Sequence, residues 1–366
     1  MAVSPLEIVR RELTRATHRI HSLPIVTLMP HSRCNCRCVM CDIWKANRAG
    51  QELSEADLAA HLDSLRRLHV QWVVLSGGEA LMHSNLWALC RLLRELPVKI
   101  TLLSTGLLLG RHATDVVRHC DEVIVSLDGS PAIHDAIRNV PRAYERLAEG
   151  VAALKALDPA FPVRARTVVQ RRNYADLPHI IETAHALGVD TISFLAADVS
   201  STAFNRPDGW PEERVSDVAL SREEAAHFAA LLEETLARFA GDITSGFIVE
   251  SAEKLRRLPR YFAALHGDGD LPPVRCNAPW VSAVVEADGT VRPCFFHRSL
   301  GNIHEAPLAD ILNGEEAVAF RRELDVAQNP ICRRCTCSLT FGRRATARPE
   351  AMKRRSAKAA HDQPAG

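Results

Sequence analysis

Eleven of the 366 residues are cysteine, and nine of these fall into two groups. The first lies in His31-Ser-Arg-Cys34-Asn-Cys36-Arg-Cys38-Val-Met-Cys41, where Cys34, Cys38 and Cys41 have the spacing Cys-x3-Cys-x2-Cys. Three thiolates suit a cubane iron–sulfur cluster, which takes four ligands and so would keep one iron open to another molecule. Structural zinc wants four closed ligands. Cys36 is available as the fourth, so zinc stands as a second reading of the spacing. The other group is Cys276-x12-Gly289-x4-Cys294, then Cys332-x2-Cys335-x-Cys337. A separated pair plus a Cys-x2-Cys closes either a tetrahedral zinc site or a [4Fe–4S] cluster, and spacing alone does not choose. Cys90 and Cys120 stand alone in apolar, helical-looking stretches and read as small buried hydrophobes.

Composition narrows the setting. Formal net charge is +1, so no global field favours nucleic acid or an anionic membrane. The first residues lack the apolar core of a secretory signal, and no apolar run is long enough for a membrane span. A cytoplasmic protein is expected, and in a reducing cytoplasm clustered cysteines point to metal or redox chemistry rather than disulfides.

The elements that must position these residues alternate. Short β-rich runs at Pro24–Leu28, Trp72–Leu75, Val98–Leu103, Glu122–Leu127, Val163–Val169 and Thr191–Leu195 are separated by amphipathic helices. Ser54 can cap the helix carrying Leu58, Leu62 and Leu65. Pro141 suits the first turn of a helix with Tyr144, Leu147, Val151 and Leu154. Asp176 precedes a helix closed by Gly188, and Ser221 with Glu224 reads as a capping box. Six β-then-α repeats predict an α/β fold with a parallel sheet, either open or curved into a partial barrel. Chemistry then belongs at the C-terminal strand ends. A break, read as a linker, follows at 241–273, with loop character at Gly267-Asp268-Gly269-Asp270 and a turn at Pro272-Pro273, and Ala287-Asp288-Gly289 marks a hairpin turn beyond it. The basic tail at 343–366 reads as disordered.

Cys34-x3-Cys38-x2-Cys41 after an opening strand resembles the signature of the radical S-adenosylmethionine (SAM) superfamily. The resemblance implies a partial (βα)6 TIM-like barrel at 22–240, behind a helical extension at 1–21. It also implies a SAM-binding [4Fe–4S] cluster on Cys34, Cys38 and Cys41, and reductive cleavage of SAM to a 5′-deoxyadenosyl radical that abstracts a substrate hydrogen. Gly77-Gly78-Glu79 is similar to the family's SAM amino-group motif. Ser104 and Asp128 suit polar atoms of SAM or shape turns, and by the match of Ser126 through Arg138 those two residues reach its methionine end. Gln170, Asn173 and Asp198 are further lining candidates. Cys276 through Cys294 resembles the opening of the SPASM and twitch domains. A small α+β domain at 274–342 is therefore expected, of the shorter twitch type, with an auxiliary [4Fe–4S] cluster on Cys276, Cys294, Cys332 and Cys335, and Cys337 as a substitute ligand. The implied partners are a small-molecule, sugar or peptide substrate and a flavodoxin- or ferredoxin-type electron donor. The short stretch before the barrel tilts the substrate toward a small molecule, with peptide maturation by a thioether or carbon–carbon crosslink as the alternative. A zinc-stabilised binding protein without catalysis is the reading from another class.

Overall fold

The computed structural model describes residues 3–48, 50–343 and 345. In chain order the first half runs α1 (Pro5–Thr17), β1 (Ile25–Leu28), α2 (Glu55–Arg67), β2 (Trp72–Leu75), α3 (Leu86–Leu93), β3 (Lys99–Ser104), α4 (Leu109–His119) and β4 (Glu122–Ser126). It continues with α5 (Pro131–Arg138), α6 (Ala143–Leu157), β5 (Val163–Val169), α7 (Leu177–Ala186) and β6 (Thr191–Ala196). Strands β1 to β6 pair in sequence order, every pair parallel. β1 and β6 do not pair with each other, so the barrel stays open. All four residues of β1 are buried, as suits a strand covered on both faces, whereas β5 alternates between buried and partly exposed residues.

Local chemistry sets the helix ends. Ser54 caps α2 in a full capping box with Asp57, and Asp176 stands directly before α7. Helix α6 starts at Ala143, later than Pro141 suggests. The reason is an acceptor on the preceding helix: Asp135 takes hydrogen bonds from the Arg142 and Tyr144 amides, each at 2.8 Å. Arg142 is held in the left-handed region, with φ 59°. Leu147, Val151 and Leu154 of α6 are fully buried, each contributing about 1.5–3 kcal/mol.

After β6 come α8 (Glu212–Val218) and α9 (Arg222–Arg238), the latter opened by the Ser221–Glu224 capping box. The linker at 241–273 holds short helices before its turn residues: α10 (Ala240–Ser245), α11 (Ala252–Leu255) and α12 (Arg257–Leu265). Its loop-forming residues Gly267 to Pro273 crowd one end. Before them Leu258, Tyr261 and Phe262 form an apolar stripe that is buried.

The C-terminal region holds α13 (Ala278–Val281), β7 (Ser282–Val285), β8 (Thr290–Arg292), β9 (Gly301–Asn302), α14 (Leu308–Asn313), α15 (Glu315–Glu323) and α16 (Pro330–Arg333). The expected hairpin forms, with Val285 opposite Val291. β7 also pairs parallel with β1, Ile25 opposite Ser282, so one nine-stranded sheet runs from β6 to β9. Sequence patterning gave no sign of this junction, because Ser282-Ala-Val-Val reads equally well as half of an isolated hairpin. Helix α1 is tied to the same region. Arg11 Nη1 donates to the carbonyls of Gly342, Arg343 and Ala345, and Arg321 Nε donates to the His18 carbonyl at 2.7 Å. Apart from residues 343 and 345, the tail lies outside the described residues.

Candidate functional site

The first cysteine group occupies the loop after β1, at the C-terminal end of the sheet. Three neighbours hold this loop. Asn47 brackets Cys34, accepting from its amide at 2.8 Å and donating to its carbonyl at 3.1 Å. The end of α5 supplies carbonyls: Arg138 O and Ile137 O accept from the Arg37 and Val39 amides at 3.1 and 3.0 Å. From beyond β6, Trp210 Nε1 donates to Asp42 Oδ2 at 2.7 Å and Asn205 Nδ2 donates to the Asp42 carbonyl at 3.2 Å.

The four sulfurs of the loop influence one another. The Cys36 thiol is hydrogen-bonded to both Cys34 and Cys38, which drives it far toward the protonated form. Cys38 is the reverse. The Cys36 hydrogen bond, helped by the Arg138 charge, outweighs burial and lowers its pKa to about 7. Burial raises Cys41 to about 12. Cys36 therefore lies inside the group that spacing assigned to Cys34, Cys38 and Cys41.

The Gly77-Gly78-Glu79 turn packs directly on this loop. A Cβ at Gly78 would stand 2.0 Å from the Arg33 carbonyl oxygen, and Gly77 has φ +105°, so both positions require glycine. Glu79 is fully buried. It accepts from the Thr105 amide at 2.7 Å, the Thr105 hydroxyl at 2.6 Å, the Ser104 hydroxyl at 3.1 Å and the Leu81 amide at 3.1 Å. Burial pushes its carboxyl above the usual range despite these donors. A cation arriving beside it would reverse that shift.

On the next strand, Asp128 is buried and spends both oxygens inside the protein, on the Val168 amide at 2.9 Å and on Arg138. Arg138 Nη1 reaches Cys38 Sγ at 3.5 Å. Burial opposes the Arg138 charge, but Asp128 and Cys38 outweigh it and raise its pKa further. Ser126 is half-buried at the end of β4, in register with Arg166. Asn173 does not line the space. Its side chain donates to the Asp128 and Val168 carbonyls at 2.9 and 3.1 Å and shapes the turn. Asp198 is taken up by Arg206 at 3.1 Å. Gln170 is buried with neither amide atom partnered among the described residues, as are Asn35 Nδ2 and Arg138 Nε. Unsatisfied buried polar atoms thus occur on the cysteine loop, on α5 and just after β5.

The second cysteine group lines a cavity of about 250 Å³ together with the concave face of the sheet. All five sulfur residues, Cys276, Cys294, Cys332, Cys335 and Cys337, border it, as do Trp72, Val74, Leu103 and Arg166. Cys337 has an exposed residue surface, but its sulfur faces inward, and burial is the main cause raising its thiol. Burial likewise lifts Cys294 to about 11 and Cys332 to about 12. His297 Nε2 lies 3.3 Å from Cys332 Sγ, a contact that sequence spacing did not signal. Neutral thiols with raised pKa values around one cavity gain from a metal that binds them as thiolates. Among the described residues no three His, Cys, Asp or Glu gather closely enough for one metal ion. The donors within each group are thiols, the ligand type that holds an iron–sulfur cluster.

A larger cleft of about 560 Å³ borders the first cysteine loop through His31, Ile43 and Gly78. Phe295, Phe296, His297 and Ile331 line both spaces and form the wall between them.

Comparison with known proteins agrees with this geometry. Residues 28–196 match the family profile described as Radical SAM superfamily, and residues 276–336 match SPASM, described as an iron-sulfur cluster-binding domain. The chain belongs to the radical SAM superfamily. This radical SAM protein is 26% identical over 309 residues to the AdoMet-dependent heme synthase of Methanosarcina barkeri, spanning 80% of this chain and 82% of that one. It is 24% identical over 326 residues to the PqqA peptide cyclase of Rhodopseudomonas palustris, spanning 86% and 79%. In fold it is similar to Streptococcus suis SuiB bound to S-adenosylmethionine, with TM-score 0.61 and 13% identity over 90% of this chain and 75% of that one. It is also similar to anSMEcpe with bound AdoMet, with TM-score 0.63 and 17% identity over 83% and 84%. The radical SAM and SPASM domains make it an enzyme that works with iron–sulfur clusters and SAM. Among the described residues no helix is long and apolar enough to cross a membrane.

Proposed function

We propose that Cys34, Cys38 and Cys41 hold a [4Fe–4S] cluster with one iron open to SAM. Cys276, Cys294, Cys332 and Cys335 hold the auxiliary [4Fe–4S] cluster, with Cys337 as a substitute ligand. Clusters and SAM bound there supply one-electron cleavage and abstraction of a hydrogen from substrate. The chain does the rest. Gly77 and Gly78 let the backbone approach, and Glu79, aligned by Ser104 and Thr105, offers a carboxylate to an ammonium group. Ser126 and Arg138 face the opposite side, with Asp128 acting through Arg138 as a positioning residue.

One observation carries this reading: the wall of Phe295, Phe296 and His297 is common to the cleft beside the first cysteine loop and the cavity bordered by the second cysteine group. A substrate at that wall is within reach of both centres, so the second can accept an electron from it or take part in bond formation. The substrate is a small molecule or a peptide. The likeness to a peptide cyclase supports peptide crosslinking as the second reading. A flavodoxin- or ferredoxin-type protein supplies the electron. The test is direct: anaerobically purified protein should hold about eight irons per chain. With dithionite and SAM it should release 5′-deoxyadenosine. Colourless protein with stoichiometric zinc would refute the proposal.

A further inference from the structure

The second cysteine group gathers sulfurs from two distant stretches of chain, and His297 contacts both. Its backbone amide is hydrogen-bonded to the Cys294 thiol, and its ring Nε2 lies 3.3 Å from Cys332 Sγ on α16. The ring is buried, and Phe320 of α15 packs edge-on to it with centroids 5.0 Å apart. The backbone is held as well. Arg292 Nη1 donates to the His297 carbonyl at 3.2 Å, while Arg292 Nε pairs with Glu286 at 2.7 Å. His297 also belongs to the wall between the cleft beside the first cysteine loop and the cavity bordered by the second group.

Elsewhere in the group sulfur receives backbone amides, as from Ala278 to Cys276 at 3.4 Å. At Cys332 the neighbour is a side chain. A metal-bound cysteine is a thiolate and has no hydrogen to offer. The contact is then favourable only with the proton on Nε2, so the imidazole donates and the sulfur accepts. Such a bond draws negative charge away from the sulfur, and it strengthens when the cluster gains an electron. Hydrogen bonds to the sulfurs are one means by which a protein sets the potential of an iron–sulfur centre. This one moves the potential upward, the direction an electron acceptor needs.

We propose that His297 is a positioning residue of the auxiliary centre: by donating Nε2–H to the Cys332 thiolate it raises the reduction potential of the cluster held there. This role rests on the assignment of the auxiliary cluster to the second cysteine group given above.

The test is an EPR-monitored redox titration of reconstituted, anaerobic holoenzyme, with SAM present to mark the signal of the first centre. His297→Phe keeps a ring against Phe320 and removes the donor. At the wild-type midpoint of the auxiliary centre, its ratio of reduced to oxidised cluster should be at least about tenfold lower, a fall of about 59 mV for a one-electron couple. His297→Gln, whose amide still donates, should recover part of that fall. His304→Gln, changed at a histidine paired instead with Asp57, should titrate as wild type. An unchanged or higher midpoint in His297→Phe overturns the proposal. Equal midpoints in the phenylalanine and glutamine variants overturn it too, because the N–H would then not be the cause. Pulsed EPR of reduced wild type carrying 15N-labelled histidine reads the contact with no substitution, and should show one weakly coupled histidine nitrogen at the auxiliary centre. No coupling, or the strong coupling of a nitrogen bound to iron, would contradict a hydrogen bond to sulfur. Absence of a second cubane from wild type would instead remove the reading on which the proposal stands.

Discussion

Arg138 joins the two halves of the cofactor side: its Nη1 reaches Cys38 Sγ at 3.5 Å while Nη2 pairs with the buried Asp128 carboxylate. The strand-end motif and the cysteine loop are thus one electrostatic unit. Removing the cation alone leaves a buried, uncompensated carboxylate. Arg138→Met should therefore destabilise the protein by about 3–5 kcal/mol, and adding Asp128→Asn should recover much of that loss. Anaerobic urea unfolding of the single and double variants measures both. Equal stability of Arg138→Met and wild type would contradict the coupling.

Gly78 is a second point of contact with the loop. A methyl group there meets the Arg33 carbonyl oxygen at 2.0 Å, and backbone cannot yield cheaply. Gly78→Ala should lower iron retention at the first centre and weaken SAM binding at least about tenfold, while the auxiliary centre keeps its iron. Iron analysis and equilibrium dialysis with SAM report on each.

Much of this arrangement was legible in the residues. The six strands fall where short β-rich runs lie between amphipathic helices, continuous in β1 and alternating in β5. Glu79 and Ser104 were visible as polar residues directly after strands. Other features were hidden because they depend on contacts distant in sequence. The pairing of β7 with β1 and the His297 contact to Cys332 are of this kind. Asn173 was visible as polar but its use was not, since its amide satisfies two backbone carbonyls rather than a ligand.

The first cysteine loop offers more sulfurs than its cluster needs. Cys36 contacts Cys34 and Cys38, yet its thiol is held in the protonated form, whereas Cys38 is poised near neutrality at about 7. Cys38→Ala and Cys41→Ala should abolish 5′-deoxyadenosine formation, and Cys36→Ala should leave a substantial part of it. Chromatography of the reaction mixture gives the answer. Loss of the cluster in Cys36→Ala alone would transfer the ligand role to Cys36.

Acid sensitivity should trace partly to His134. Burial first, then the Arg138 charge, lowers its pKa to about 3, and its Nδ1 accepts from the Asp128 amide at 3.2 Å. The unfolded chain binds a proton at the ordinary histidine value, near pH 6.5. Between those values the unfolded state holds more protons. Stability is thus full above about pH 6.5 and falls as pH drops toward 3, with a limiting slope of about 1.4 kcal/mol per unit. His134→Gln should flatten this slope. Urea midpoints of both proteins measured from neutral pH to about pH 5 would show it, and parallel curves would exclude His134 as a source.

The most direct measurement is Mössbauer spectroscopy of iron-enriched, reconstituted protein in which the auxiliary cysteines are replaced, recorded before and after SAM is added. A cubane on Cys34, Cys38 and Cys41 predicts four irons, of which one changes its spectrum when SAM binds. The absence of a cubane, or a spectrum indifferent to SAM, would contradict the assignment of those three thiolates.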